Sequence, residues 1–120
     1  MRRIQFTLLA TLVSMIVAVP AQAEDARFEC EVADINGESK GTFEISVNEE
    51  AGTVSLLTRS LRSSATLPAS ITTSRISFAT REGRTTTSYI VDRITLAVLE
   101  SVRVRRREAG GRSGQCTLVP

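Results

Sequence analysis

Histidine and tryptophan are absent from this 120-residue sequence, which also has a single tyrosine, a single lysine and two cysteines. Without histidine the chain lacks the usual general base near neutral pH and the commonest metal ligand. Two cysteines cannot build a thiolate metal site, and a redox thiol would call for a Cys-x-x-Cys pair or an adjacent activating cation, neither of which is present. Lys40 follows Ser39, but adjacency does not make a Ser-Lys dyad, and the pair reads as a loop serine beside a solvated lysine. The carboxylate pairs Glu29/Glu31 and Glu49/Glu50 fall on a solvent face and in a turn, where they serve solubility. Asp34-Ile35-Asn36-Gly37-Glu38 carries oxygen ligands but is too short for a calcium loop. The expectation is a non-enzymatic protein with no cofactor and no metal.

What is present starts with a leader. Met1-Arg2-Arg3 is a short positive segment, Ile4 to Val19 is an apolar run, and Pro20-Ala21-Gln22-Ala23 ends in an A-x-A cleavage pattern. The run is about 16 residues long, against roughly 20 for a bilayer span, so residues 1–23 are expected to be a cleaved signal peptide. Glu24, not a cysteine, stands directly after the cleavage point, and the surroundings of Arg2-Arg3 fit general secretion better than twin-arginine export. The mature chain, residues 24–120, is expected to be one domain without a membrane span, located in the periplasm or secreted.

A domain of 97 residues buries only roughly two thirds of its unfolded surface and benefits from a covalent staple. Cys30 and Cys116 have no competitor and are expected to form a disulfide. It closes nearly the whole domain, which the chain-entropy model values at about 4.6 kcal/mol.

Alternation organises the rest. Phe28, Cys30 and Val32 alternate with Arg27, Glu29 and Glu31; Phe43, Ile45 and Val47 alternate with Thr42, Glu44 and Ser46; Val54 and Leu56 mark a third strand. Asn36-Gly37 and Asn48 to Gly52 supply the intervening turns. Arg59 to Ala69 loses the alternation and reads as a connection ending at Leu67-Pro68. Strands follow at Arg75 to Thr80 and Thr85 to Asp92, with the inward choice between Tyr89 and Ile90 open. Ile94 to Arg105 fits a helical stripe capped by Asp92 and also a strand interrupted at Glu100, and its β-branched content favours the strand. Ala109 to Gly114 reads as a glycine-rich hairpin tip, and Gln115 to Val119 as the last strand.

About seven short strands make an all-β domain, an antiparallel barrel or a two-sheet sandwich, closed by the disulfide between first and last strands. If those strands are neighbours, the barrel is the simpler solution.

Charge is unevenly spread. Loss of Arg2 and Arg3 leaves 13 basic and 13 acidic residues, a neutral mature chain. Glu24 to Thr58 nevertheless carries −7, and Arg59 to Pro120 carries +7. The densest segment is Arg103-Val104-Arg105-Arg106-Arg107. On a strand, Arg103, Arg105 and Arg107 would project from one face about 7 Å apart, a row suited to phosphates or carboxylates. With Arg112 beside Gly110-Gly111 they are the candidate anion-binding residues, for an acidic partner or an envelope component such as lipopolysaccharide, an acidic glycan or an acidic protein. The competing reading is that Glu29 and Glu31 neutralise the row across an intervening strand. Nucleic acid is not expected, since the mature charge is neutral and aromatics are few. Ligand identity and oligomeric state have no sequence signal.

The frame of Phe28-x-Cys30, Phe43-x-Ile45-x-Val47, Tyr89-Ile90-Val91-Asp92-Arg93 and Gly114-x-Cys116 resembles a group of small secreted proteobacterial proteins of unknown function. In that group Asp-Arg is often followed by x-Thr-Gly, which makes a turn; here Ile94-Thr95-Leu96 stands there. In size, leader and single disulfide the chain is also similar to the periplasmic inhibitors of c-type lysozyme, small β-barrels. That similarity implies the alternative function, inhibition of a cell-wall hydrolase. Their Ser-Gly-x-x-Tyr loop is missing, and Arg62-Ser63-Ser64-Ala65 does not replace it.

Overall fold

The structure is a computed structural model that describes residues 26–58 and 62–120. The expected signal peptide and cleavage site, and the stretch 59–61 of the expected connection, lie outside the described residues. Eight strands follow in chain order: β1 (Ala26–Ala33), β2 (Lys40–Asn48), β3 (Thr53–Thr58), β4 (Ser63–Ile71), β5 (Arg75–Glu82), β6 (Thr85–Asp92), β7 (Ala97–Val104) and β8 (Arg107–Val119). Each pairs antiparallel with the next, and β8 pairs with β1, so the sheet closes into a barrel. Among the described residues no helix is long and apolar enough to cross a membrane.

Closure has a clear residue-level basis. Cys30 and Cys116 are direct cross-strand partners on β1 and β8, with Cα atoms 4.0 Å apart, and they form the disulfide. Two positions away, Gly114 faces Val32; a Cβ on Gly114 would lie 1.7 Å from the Glu31 carbonyl oxygen. Only glycine permits that approach of the two strands. The segment expected as a glycine-rich loop is thus the body of β8, and it is a strand because its glycines let neighbouring backbones close in. Gly111 behaves similarly, with the Glu100 carbonyl oxygen 2.9 Å from where its Cβ would stand.

An eight-stranded barrel is just wide enough for its interior to be filled by side chains. Here Phe28, Cys30 and Val32 of β1, Phe43, Ile45 and Val47 of β2, Val54 and Leu56 of β3, Ile76 and Phe78 of β5, Val91, Val98 and Cys116 are all buried. Tyr89 takes the inward position and leaves Ile90 partly exposed. Ile94 to Arg105 resolves as the strand Ala97–Val104, with Ile94 in the preceding loop.

One strand was not legible as such. The second half of the expected connection is β4, whose Ala65, Leu67, Ala69 and Ile71 share inward parity with Ser64, Thr66, Pro68 and Ser70 outward. Small alanines and serines make that alternation nearly invisible. Pro68 is tolerated because the Ala69 N–H points to β3, donating to the Gly52 carbonyl at 2.9 Å, so the missing Pro68 N–H faces β5. The β4/β5 ladder runs only from Ala69↔Phe78 to Ile71↔Ile76.

The Asp92-Arg93-Ile94-Thr95-Leu96 segment does form a turn. The Asp92 carboxylate accepts from the Ile94 and Thr95 N–H groups at 2.8 and 3.0 Å, and the Leu96 N–H donates to the Asp92 carbonyl at 2.8 Å. Leu96 occupies the left-handed region with φ 64°, where glycine would be the easier residue. Those backbone donors hold the Asp92 carboxyl below its ordinary range.

Candidate functional site

Hairpin geometry decides where the arginines go. β7 ends at Val104, β8 begins at Arg107, and Arg105 and Arg106 are the whole connection. Arg105 and Arg106 have φ of 52° and 70°, the positive values at both positions that the type I′ form of a two-residue loop requires. The expected row of Arg103, Arg105 and Arg107 on one strand face therefore does not exist: the chain reverses between the first and the last. The sequence signal that points to a turn is weak, because Asn-Gly is the usual occupant and arginine the unusual one.

The next hairpin is equally short, with Gly83 (φ 60°) and Arg84 joining β5 to β6. The two tips are tied together by the Arg105 N–H, which donates to the Arg84 carbonyl at 3.1 Å. Below the tips, Arg81, Thr86 and Arg103 are successive cross-strand partners on the outer face of β5, β6 and β7. The result is one depression lined by Arg81, Arg84, Arg103, Arg105 and Arg106 with Thr86 and Ser88. Arg107 opens β8 opposite Val104 at the same end. Sequence reasoning found two of the five lining arginines, Arg103 and Arg105; Arg81 and Arg84 join through tertiary pairing that no local pattern announces.

The counter-charge expected from β1 is too far away. β8 does lie between β7 and β1, but Glu31 is level with Gln115 and Gln115 with Ala97. Arg103 is six residues farther along β7, about 20 Å at strand rise. Glu108, the cross-strand partner of Arg103, does not close to ion-pair distance. Among the described residues none of Arg81, Arg84, Arg103, Arg105, Arg106 and Arg107 is ion-paired, whereas Arg27 binds Glu44, Arg93 contacts Glu49 at 2.5 Å, and Arg112 binds Glu100.

Arg112 consequently leaves the candidate anion set. Its guanidinium grips Glu100 through two bonds, Nε to Oε1 at 2.6 Å and Nη2 to Oε2 at 3.0 Å. Glu100 is 3% exposed and faces the barrel interior; it continues the inward alternation of β7 instead of interrupting it. A row of interior cross-strand partners runs Phe78, Tyr89, Glu100, Arg112 over four adjacent strands. The Tyr89 hydroxyl lies beside the Glu100 carboxylate, and its ring stacks on Phe78 at 4.9 Å and meets the edge of Phe43 at 5.2 Å. Burial, and then the adjacent Glu100 charge, push the Tyr89 hydroxyl up to about 12. The Glu100 carboxylate raises the Arg112 pKa. Gly41 of β2 makes room for the arginine, since a Cβ there would meet Nη1 at 2.7 Å. This cluster is satisfied internally and orders the core.

The fold and the surface together define a class: a small, disulfide-closed, eight-stranded antiparallel barrel with an arginine-lined depression at one end. Comparison with protein-family models, curated proteins and solved structures finds no match to this chain.

Proposed function

We propose that this is a non-enzymatic periplasmic or secreted binding protein that engages an anionic partner or envelope component through Arg81, Arg84, Arg103, Arg105 and Arg106. The observation that carries the reading is the Arg105-Arg106 turn. Two non-glycine residues in left-handed backbone are held at about 1 kcal/mol or more apiece, and strain of this kind persists where function retains it. Guanidinium groups suit planar, bidentate contact with phosphate or carboxylate oxygens, and two hydroxyl side chains add neutral hydrogen-bonding groups. A leader-like N-terminus and a disulfide support an oxidising compartment, while the lack of histidine and of free cysteine supports binding over turnover.

The test separates strain from binding in one variant. R105N/R106G places the favoured residues in the turn, so the domain is expected to gain about 1–2 kcal/mol while its salt-dependent retention on a phosphorylated matrix falls. A variant that is more stable and equally well retained would overturn the reading.

A further inference from the structure

The outer face below the arginine depression changes character in steps. Along β6 the outward residues are Thr86, Ser88 and Ile90, and along β7 their cross-strand partners are Arg103, Ser101 and Leu99. The middle row is made only of small residues, Ala79, Ser88, Ser101 and Gly111, so the surface dips between the arginine row and the apolar row. Ile90 and Leu99 are 38% and 48% exposed and directly opposed, and they line a second depression with Ala97 and Ser113, flanked by Arg75 and Asp92. Ile90 lies four positions beyond Thr86, about 13 Å along the strand. A row of small outward residues therefore separates guanidinium groups that have no ion-pair partner among the described residues from an exposed apolar pair, with a depression at each end.

We infer that the ligand of this face is an anionic phospholipid, its phosphate held among Arg81, Arg103 and Arg105 and the first part of an acyl chain laid over Ser88 and Ser101 onto Ile90 and Leu99. The inference rests on the proposed anion-binding role of the arginines and adds the chemical class. A soluble polyanion, such as an acidic glycan or acidic peptide, would use the arginines alone and leave the apolar end idle. An amphiphile uses both ends and fixes its own orientation, with charge toward the hairpin tips.

The experiment compares a short-chain phosphatidylglycerol, kept below its micelle concentration, with its deacylated headgroup, glycerophosphoglycerol, in calorimetric titrations of the mature protein. The lipid is expected to bind at least about tenfold more tightly, because covering the Ile90 and Leu99 surface contributes apolar burial that the headgroup lacks. In I90S/L99S the two ligands are expected to converge on the headgroup affinity, and R81S/R103S is expected to lose both. Both serine variants change outward positions, and their melting curves establish that the barrel is intact. Equal binding of lipid and headgroup by the wild type, or lipid binding unaffected by I90S/L99S, overturns the lipid assignment and leaves the anion-binding reading standing. Failure of wild type to bind the lipid, its headgroup and the phosphorylated matrix overturns both.

Discussion

Tyr89 offers a direct reading of the barrel interior, because it is the only tyrosine in a chain without tryptophan. In the native protein its hydroxyl titrates at about 12, raised from 10.0 first by burial and then by the Glu100 charge, against a smaller lowering by Arg112. In the unfolded chain it should titrate near its ordinary value. The sign follows from proton count: between the two values the unfolded state has released a proton that the native state still holds, so stability falls as pH rises above about 10. Raising the value from 10.0 to about 12 corresponds to about 2.7 kcal/mol at full burial; partial exposure of the ring reduces the expected loss to about 1–2 kcal/mol. The assay is phenolate absorbance against pH, with circular dichroism recorded in parallel to separate ionisation from unfolding. E100Q removes the facing charge, so its midpoint should fall toward 10, whereas R112M removes the opposing contribution and should raise it. A wild-type midpoint at 10 in the folded protein, or an E100Q midpoint above wild type, would refute the arrangement of the Phe78, Tyr89, Glu100, Arg112 row.

Two further outcomes concern stability. R112M removes both guanidinium bonds from a nearly inaccessible carboxylate, and is expected to lose about 3 kcal/mol, lowering Tm by roughly 15 °C. E100L/R112L, which removes both charges, should recover most of that loss; a double variant as unstable as the single one would show that the ion pair is not what the barrel requires. G114A places a methyl group onto the Glu31 carbonyl and should either unfold the domain or leave Cys30 and Cys116 open to thiol labelling after expression under oxidising conditions. A fully oxidised G114A protein with an unchanged melting curve would contradict the close contact between β1 and β8.

The sequence revealed those parts of the structure whose chemistry is local. Strict alternation of bulky apolar residues locates β1, β2 and β3, and the lone cysteine pair, Cys30 in β1 and Cys116 in β8, points to a join between first and last strands. β4 escaped because Ala65 and Ala69 give the inward face little contrast with the serines outside, and because a proline ordinarily argues against a strand. Glu100 reads in the sequence as a break in periodicity, yet it holds an inward position of β7. A charged residue at an inward position is informative only when its partner is placed, and Arg112 was hidden inside what looked like a glycine loop. The arginine site was half visible: a dense basic run identifies the neighbourhood, but the reversal at Arg105-Arg106 and the arrival of Arg81 and Arg84 depend on pairing between hairpins.

The disulfide has a topological consequence. By joining the first strand to the last, it turns residues 30–116 into a covalent ring, so that the ends of the sheet are no longer the ends of the polypeptide. The shortest ladder, between β4 and β5, lies on the far side of that ring and is its weakest join. If the wall parts there, the eight strands remain in one ordered ribbon running from β5 through the staple to β4, and the arginine-bearing hairpins stay side by side at one margin of it. With β1 and β8 held by the staple, such an opening would leave the β5/β6 and β7/β8 hairpins in register on either side of the arginine-lined depression.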